Sequence, residues 1–302
     1  LESYAPNCCD RFLLIGPWSH AQTFRDFMHH LPNGERGMPD NGAMDLVGQR
    51  IAFYDRYLKG DSGSKIQSDR VRVYITGANQ WRDLPTFPAP NTTLRPLYLQ
   101  GEGDAALFPN NSLLSWDKPQ SENASDRYTY NPELPTPFEK TALQDRREIE
   151  IRADVLTYTT QPFEKPLTLL GDLSCVLYAA SDCLDPDWFI HLTEVFPDGR
   201  SIEFYAAWSA LRARYHQGSD KEVLLTPNKP TEFHIPLGAC GHQFAAGNCL
   251  RLSISSAAFP AFDPNTNSGN TVVTDTECRV ANQSVFHDLL RPSHILLPII
   301  DE

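Results

Sequence analysis

The apolar positions of this chain change period near residue 70. Before that point, Val47, Ile51, Tyr54 and Leu58 recur at helical spacing. Arg56 and Lys59 close the run and Gly60 follows, so cations meet the negative end of the helix dipole and a glycine is placed to cap it. The spacing predicts an amphipathic helix over 46–59. Upstream, RFLLIG (11–16) is a short apolar run that ends in Gly and then Pro17, which predicts a buried parallel strand that proline stops. Residues 21–45 mix Gly, Pro, Asn and charge and read as a long surface loop. A lone parallel strand cannot bury both of its faces, so more sheet is expected to belong with it.

From Val71 onward short β-like runs alternate with turn residues. VRVYITG (71–77) and PLYLQG (96–101) come first, and 102–150 reads as loops with one or two short strands. Then follow VLTYTT (155–160), SCVLYAA (174–180), WFIHLTEVF (188–196), SIEFYAAW (201–208), TEFHIPL (231–237), CLRLSISS (249–256) and HILLPI (294–299). Several short strands with such punctuation predict a β-sandwich, specifically a jelly roll. The expected fold is mainly β. Residues 1–90 form the last strand-loop-helix part of an α/β domain and 91–302 form the sandwich.

Composition narrows the partners. The 38 acidic and 26 basic residues give a net charge of −12, which disfavours a nucleic-acid backbone as partner. No apolar run reaches the ~18–20 residues that a membrane-spanning helix needs. The seven cysteines are odd in number and contain no C-x-x-C, so neither a zinc site nor a disulfide scaffold is expected. Free buried thiols mildly favour a reducing compartment such as the cytoplasm. No metal or cofactor is expected.

The sharpest chemical feature is Gly16-Pro17-Trp18-Ser19-His20, directly after the first strand. Open α/β sheets place their chemistry at the carboxyl ends of strands, and a histidine there is positioned to act as a general base. Other groups read as structural. Asp185 and Asp187 could share one face of a strand, but Pro186 between them indicates a turn into a buried strand. Residues 263–269 imitate a calcium loop, yet carry Ser268 where that loop needs Gly and Thr274 where it needs Glu, so an Asx-turn loop is expected. Arg212 and Arg214 share a face and are expected in salt bridges. His29 and His30 read as surface histidines.

IGPWSH, FYDRYLKG (53–60), VRVYITGANQWRDLPTFP (71–88), DPDWFIHLTEVFPDGRS (185–201), SSAAFPAFDPNTNSGN (255–270) and RPSHILLPII (291–300) occur in order along the chain. Together they resemble the CocE/NonD serine hydrolases, the group of cocaine esterases, X-Pro dipeptidyl-peptidases, α-amino acid ester hydrolases and cephalosporin acylases. The resemblance implies an α/β-hydrolase with a helical cap and a C-terminal jelly roll. It implies that His20 is the catalytic histidine of the GPWxH motif and that Trp18, counted with the substrate-binding candidates, packs beneath the site rather than touching substrate. It also implies that the stretch after Tyr130-Asn131-Pro132 passes near the active site, which makes Pro137 and Phe138 candidates for an apolar substrate wall. The substrate would be a small acyl ester, amide or peptide.

One departure from the family is informative. In α/β-hydrolases the order is Ser, acid, His, and the nucleophile elbow G-x-S-x-G occurs nowhere in this chain. Asp10 cannot serve as the acid: six strand residues at about 3.3 Å each put it roughly 20 Å from the turn, at the wrong end of the sheet. The expected reading is the C-terminal part of a serine hydrolase whose nucleophile and acid lie elsewhere, inactive alone and associating with that missing part or with itself. The alternative is a non-catalytic jelly-roll module for binding or oligomerisation.

Overall fold

Alternating burial shows why strands dominate. In TEFHIPL the inward Phe233, Ile235 and Leu237 are buried while Glu232, His234 and Pro236 face out. The computed structural model describes residues 12–18, 40–66, 70–106, 112–138, 145–271 and 274–300. Its elements are β1 (Leu13–Ile15), α1 (Leu46–Leu58), β2 (Val71–Ile75), β3 (Gln80–Leu84), β4 (Thr92–Gln100), β5 (Leu113–Ser115), β6 (Ser125–Tyr130), β7 (Pro137–Phe138) and α2 (Arg147–Glu150). They continue with β8 (Leu156–Thr159), β9 (Leu167–Ser181), β10 (Asp187–Val195), β11 (Ser201–Arg212), β12 (Thr231–Phe244), β13 (Cys249–Ser255), β14 (Phe259–Pro260), β15 (Ala281–Phe286) and β16 (His294–Ile300).

The sandwich has two leaves. One runs β11-β10-β13-β8; the other runs β5-β4-β16-β9-β15-β6, with β12 on the far side of β9. A parallel bridge from Leu113 to Thr159 joins them. Both leaves feed one core, in which Trp188, Ile190, Leu192, Leu250 and Leu252 meet Leu97, Leu99, Leu177, Phe233 and Ile295. β10 is buried on both faces, so its outer side chains need polar partners. Glu150 of α2 supplies them: it pairs with Arg251 at 2.8 Å and accepts hydrogen bonds from Thr193 and Ser201. Arg146 likewise pairs with buried Glu203 at 3.0 Å. A buried charge is tolerated only when paired in this way.

A separate sheet, β1-β2-β3, precedes the sandwich. β1 runs parallel to β2, with Leu13 opposite Val71 and Ile15 opposite Val73. Hence the predicted parallel strand is present, but it is not buried: Leu13 is 39% exposed, because β1 has a partner on one edge only among the described residues. α1 matches the predicted helix. The Asp45 side chain accepts from the Gly48 N–H at its start, and Gly60, at φ +72°, follows its end. Its apolar stripe is likewise uncovered, with Ile51 and Tyr54 each 55% exposed and Leu58 78% exposed.

The small sheet is fastened to the sandwich just beyond β2. The Thr76 N–H donates to Gly241 O at 3.0 Å, and the Gln243 N–H donates to Thr76 O at 2.8 Å. The Thr76 hydroxyl also meets Nδ1 of the fully buried His242 at 2.7 Å. Gly77 makes this approach possible. It sits at φ +81°, and a Cβ there would lie 2.0 Å from the Gln243 carbonyl oxygen. We therefore expect Gly77→Ala to lower unfolding free energy by about 2–4 kcal/mol, from left-handed strain plus overpacking against backbone. Urea denaturation checks this, and an unchanged midpoint would contradict it.

Candidate functional site

The site is built on the turn that leaves β1. Ile15 is the last paired residue; Gly16, buried Pro17 and Trp18 then fold back on the strand end. A Cβ on Gly16 would lie 2.5 Å from the Trp18 indole, so only glycine lets the ring lie there. The Trp18 indole N–H donates to Gly42 O at 2.9 Å, and its ring packs on Trp81 with centroids 5.7 Å apart. Trp81, on β3, meets Tyr74 edge to face at 5.1 Å and lies 5.5 Å from the Arg72 guanidinium.

Asn41 ties these pieces together. Its carbonyl oxygen accepts from the Trp81 indole at 2.8 Å, and its Oδ1 accepts from the Tyr74 hydroxyl at 2.7 Å. Its Nδ2 donates to Asn79 O at 2.6 Å, in the β2–β3 turn, where Asn79 takes φ +54°. Burial pushes the Tyr74 phenol up to about 12, so it remains a hydroxyl donor at neutral pH.

His20, the predicted catalytic residue, lies outside the described residues, as do Asp10, His29 and His30. Trp18 stands two residues before His20 in the sequence. Pro137 and Phe138 stand elsewhere, on β7, which pairs in parallel with β14 (Pro137 with Phe259, Phe138 with Pro260). Pro137 is exposed and Phe138 buried. The Phe138 ring lies 5.3 Å from Trp208 and 5.4 Å from His191, and packs with Phe189 and Ala258. Phe262 adds an edge to Trp208 at 5.7 Å. Burial, then nearby Arg146, holds His191 well below its ordinary range, so it is a neutral ring within an aromatic wall. Trp18 and Phe138 thus belong to two separate groups.

The residues read as structural are in structural roles. Arg212 grips Asp187 through two bonds at 2.8 and 3.0 Å, and Arg214 bonds Asp185 at 2.7 Å. Asn265 Nδ2 donates to Asp187, while its Oδ1 accepts from the Asn267 N–H in an Asx turn. The Ser268 hydroxyl closes the loop on Asp275. Among the described residues no group of three or more His, Cys, Asp or Glu is placed to hold a metal. Cys175 and Cys240 are buried free thiols, each pushed up to about 12 by burial.

Residues 64–295 match the X-Pro dipeptidyl-peptidase C-terminal non-catalytic domain. The chain belongs to that family. It is 31% identical over 306 residues to the cocaine esterase of a Rhodococcus species, covering 96% of this chain and 52% of that protein. Among solved structures, an aminopeptidase from a marine-sediment Thaumarchaeota archaeon aligns with TM-score 0.82 and 26% identity over 96% of this chain and 49% of that one. An α-amino acid ester hydrolase aligns with TM-score 0.81 and 26% identity over 95% of this chain and 50% of that one. The chain therefore resembles CocE/NonD hydrolases in sequence and fold, and its sandwich is their C-terminal β-sandwich. It spans about half the length of the cocaine esterase it matches.

Two site groups escaped the sequence reading. Asn41, Tyr74 and Trp81 lie 33 and 40 positions apart from Asn41 outward, and no local pattern signals such contacts. Trp81 stood within GANQWRDLPTFP, so an aromatic in a hairpin beside the histidine turn was the one available signal. His191 and Trp208 come together beside Phe138 through the β10–β11 pairing, and Phe262, just after β14, reaches Trp208. Gly16→Ala should displace the Trp18 ring, lowering stability by about 1–3 kcal/mol. Near-UV circular dichroism should lose the Trp18–Trp81 signal, and an unaltered spectrum would contradict this packing.

Proposed function

We propose that this chain is the C-terminal part of a serine hydrolase that cleaves acyl esters or amides through an acyl-enzyme. The observation that carries the reading is the Gly16-Pro17-Trp18 turn. It leaves the carboxyl end of a parallel strand, is held by its own tryptophan, and runs directly into His20. His20 also precedes the 64–295 segment that matches the non-catalytic domain.

In the proposed mechanism, a serine supplied by the upstream half attacks the substrate carbonyl while His20 takes its proton. His20 then protonates the departing alcohol or amine. An acid from the same half holds the imidazole in its productive tautomer. A water activated by His20 then hydrolyses the acyl-enzyme. Serine needs this help because its hydroxyl is a weak nucleophile at neutral pH. The edge of β1 that has no partner among the described residues, and the exposed Val47-Ile51-Tyr54-Leu58 stripe, support where the remainder of the hydrolase sheet and its helices would join. On this reading residues 1–90 complete the hydrolase domain and 91–302 form the jelly roll. Exposed Pro137 and the exposed Trp208 ring offer the apolar face for a small acyl substrate, with buried Phe138 packed on Trp208, and Trp18 packs on Trp81 within the turn before His20.

The test is kinetic. In the hydrolase that contains this chain, His20→Ala should lower kcat/KM for a p-nitrophenyl ester by about a thousandfold or more. The folded fraction should be unchanged. Retention of most of the activity would remove His20 from the reaction.

A further inference from the structure

We propose that Trp81 and Asn41 are positioning residues for the catalytic histidine, acting as a clasp that holds the turn before His20. This deepens the hydrolase reading and rests on it. It gives a role in the reaction to a hairpin that lies inside the matched non-catalytic segment.

The pairing of β1 with β2 ends at Ile15, so the Gly16-Pro17-Trp18 turn lies beyond the reach of that ladder. Position is supplied instead by contacts from beyond the strand. The indole of Trp18 is fixed at its N–H by Gly42 O and on its ring by Trp81. Gly42 is buried and follows Asn41, whose main chain and side chain are bonded to Trp81, Tyr74 and the Asn79 carbonyl. Trp81 therefore acts twice: its ring supports Trp18, and its N–H holds the segment that receives the Trp18 hydrogen bond.

The hairpin that carries Trp81 is itself rigidly mounted. Tyr74 is 2% exposed, and the strand continues into Thr76, which pairs with β12 through two backbone bonds and the His242 ring. A continuous run of bonded groups thus leads from the sandwich through β2, β3 and Asn41 to the turn. Catalysis is sensitive to such support, because a misplacement of about 1 Å in a reacting group can cost ~100-fold in rate. A loosened turn would lower kcat while leaving substrate affinity in place. It would also weaken the contact between the histidine and its acid. A carboxylate neighbour favours the charged imidazole, so weakening it moves the acid limb of the pH profile to lower pH.

The experiment uses the complete hydrolase that carries this chain and a p-nitrophenyl ester. Trp81→Ala and Asn41→Ala should each lower kcat by roughly 10- to 100-fold with KM nearly constant, and shift the acid limb of kcat/KM downward. Trp81→Phe, which keeps a ring against Trp18, should recover much of the loss. Trp116→Ala, which removes an exposed tryptophan stacked on Arg95 of the sandwich, should leave kcat and the pH profile unchanged. If Trp81→Ala does not fold, Asn41→Ala decides, because Asn41 is exposed and its loss opens no core. Wild-type kcat and pH profile in folded Asn41→Ala or Trp81→Ala, beside an inactive His20→Ala, would overturn the clasp and leave the hydrolase reading standing. An active His20→Ala would overturn both.

Discussion

The pairing of Thr76 with Gly241 and Gln243 is the contact on which the arrangement of this chain depends. Among the described residues the β1-β2-β3 sheet has three strands, one of only three residues, which is too little area to hold itself together. Two backbone bonds and a buried Thr76–His242 contact graft it onto β12, which pairs along its whole length with β9 at the centre of its leaf. His242 is also stacked on Phe204 at 4.5 Å, with rings within 7° of parallel, so the graft reaches into the main core. The small core of Val71, Val73, Ile75 and Ala89 closes the join against Leu170 and Ile300 of the sandwich.

This graft relates the two halves of the functional reading. The turn that precedes His20 sits at the end of β1; β1 pairs with β2, which is bonded to the sandwich, and Ile15 packs on the small core that includes Leu170 and Ile300. The sandwich core therefore supports the turn. The sandwich also carries the aromatic group around Phe138. This group is made from β7, β10 and β11, and from Phe262 just after β14.

Much of this was legible in the sequence, and the exceptions have physical causes. Periodic spacing located α1 and most strand centres, because apolar alternation survives wherever one face is buried. Strand lengths were underread. β12 passes through a bulge between Pro236 and Gly238, and the register of β16 against β9 shifts between Leu296 and Ile299; each breaks the alternation. β15 was missed because its sequence, ANQSVF, is polar: Gln283 is buried, and Asn282 bonds Asp182. The family order of motifs named the histidine turn. The Asn41–Trp81 clasp was invisible because its partners meet only after β2 and β3 fold together.

The central claim is that the reacting serine and its acid come from outside these 302 residues while the base comes from within. Labelling with a fluorophosphonate probe, read by mass spectrometry, tests it most directly. The account predicts no adduct on the 302-residue chain alone and a single serine adduct once the upstream half is joined to it. A stoichiometric adduct on one serine of the chain alone, lost in His20→Ala, would contradict it, because the nucleophile would then lie within this chain.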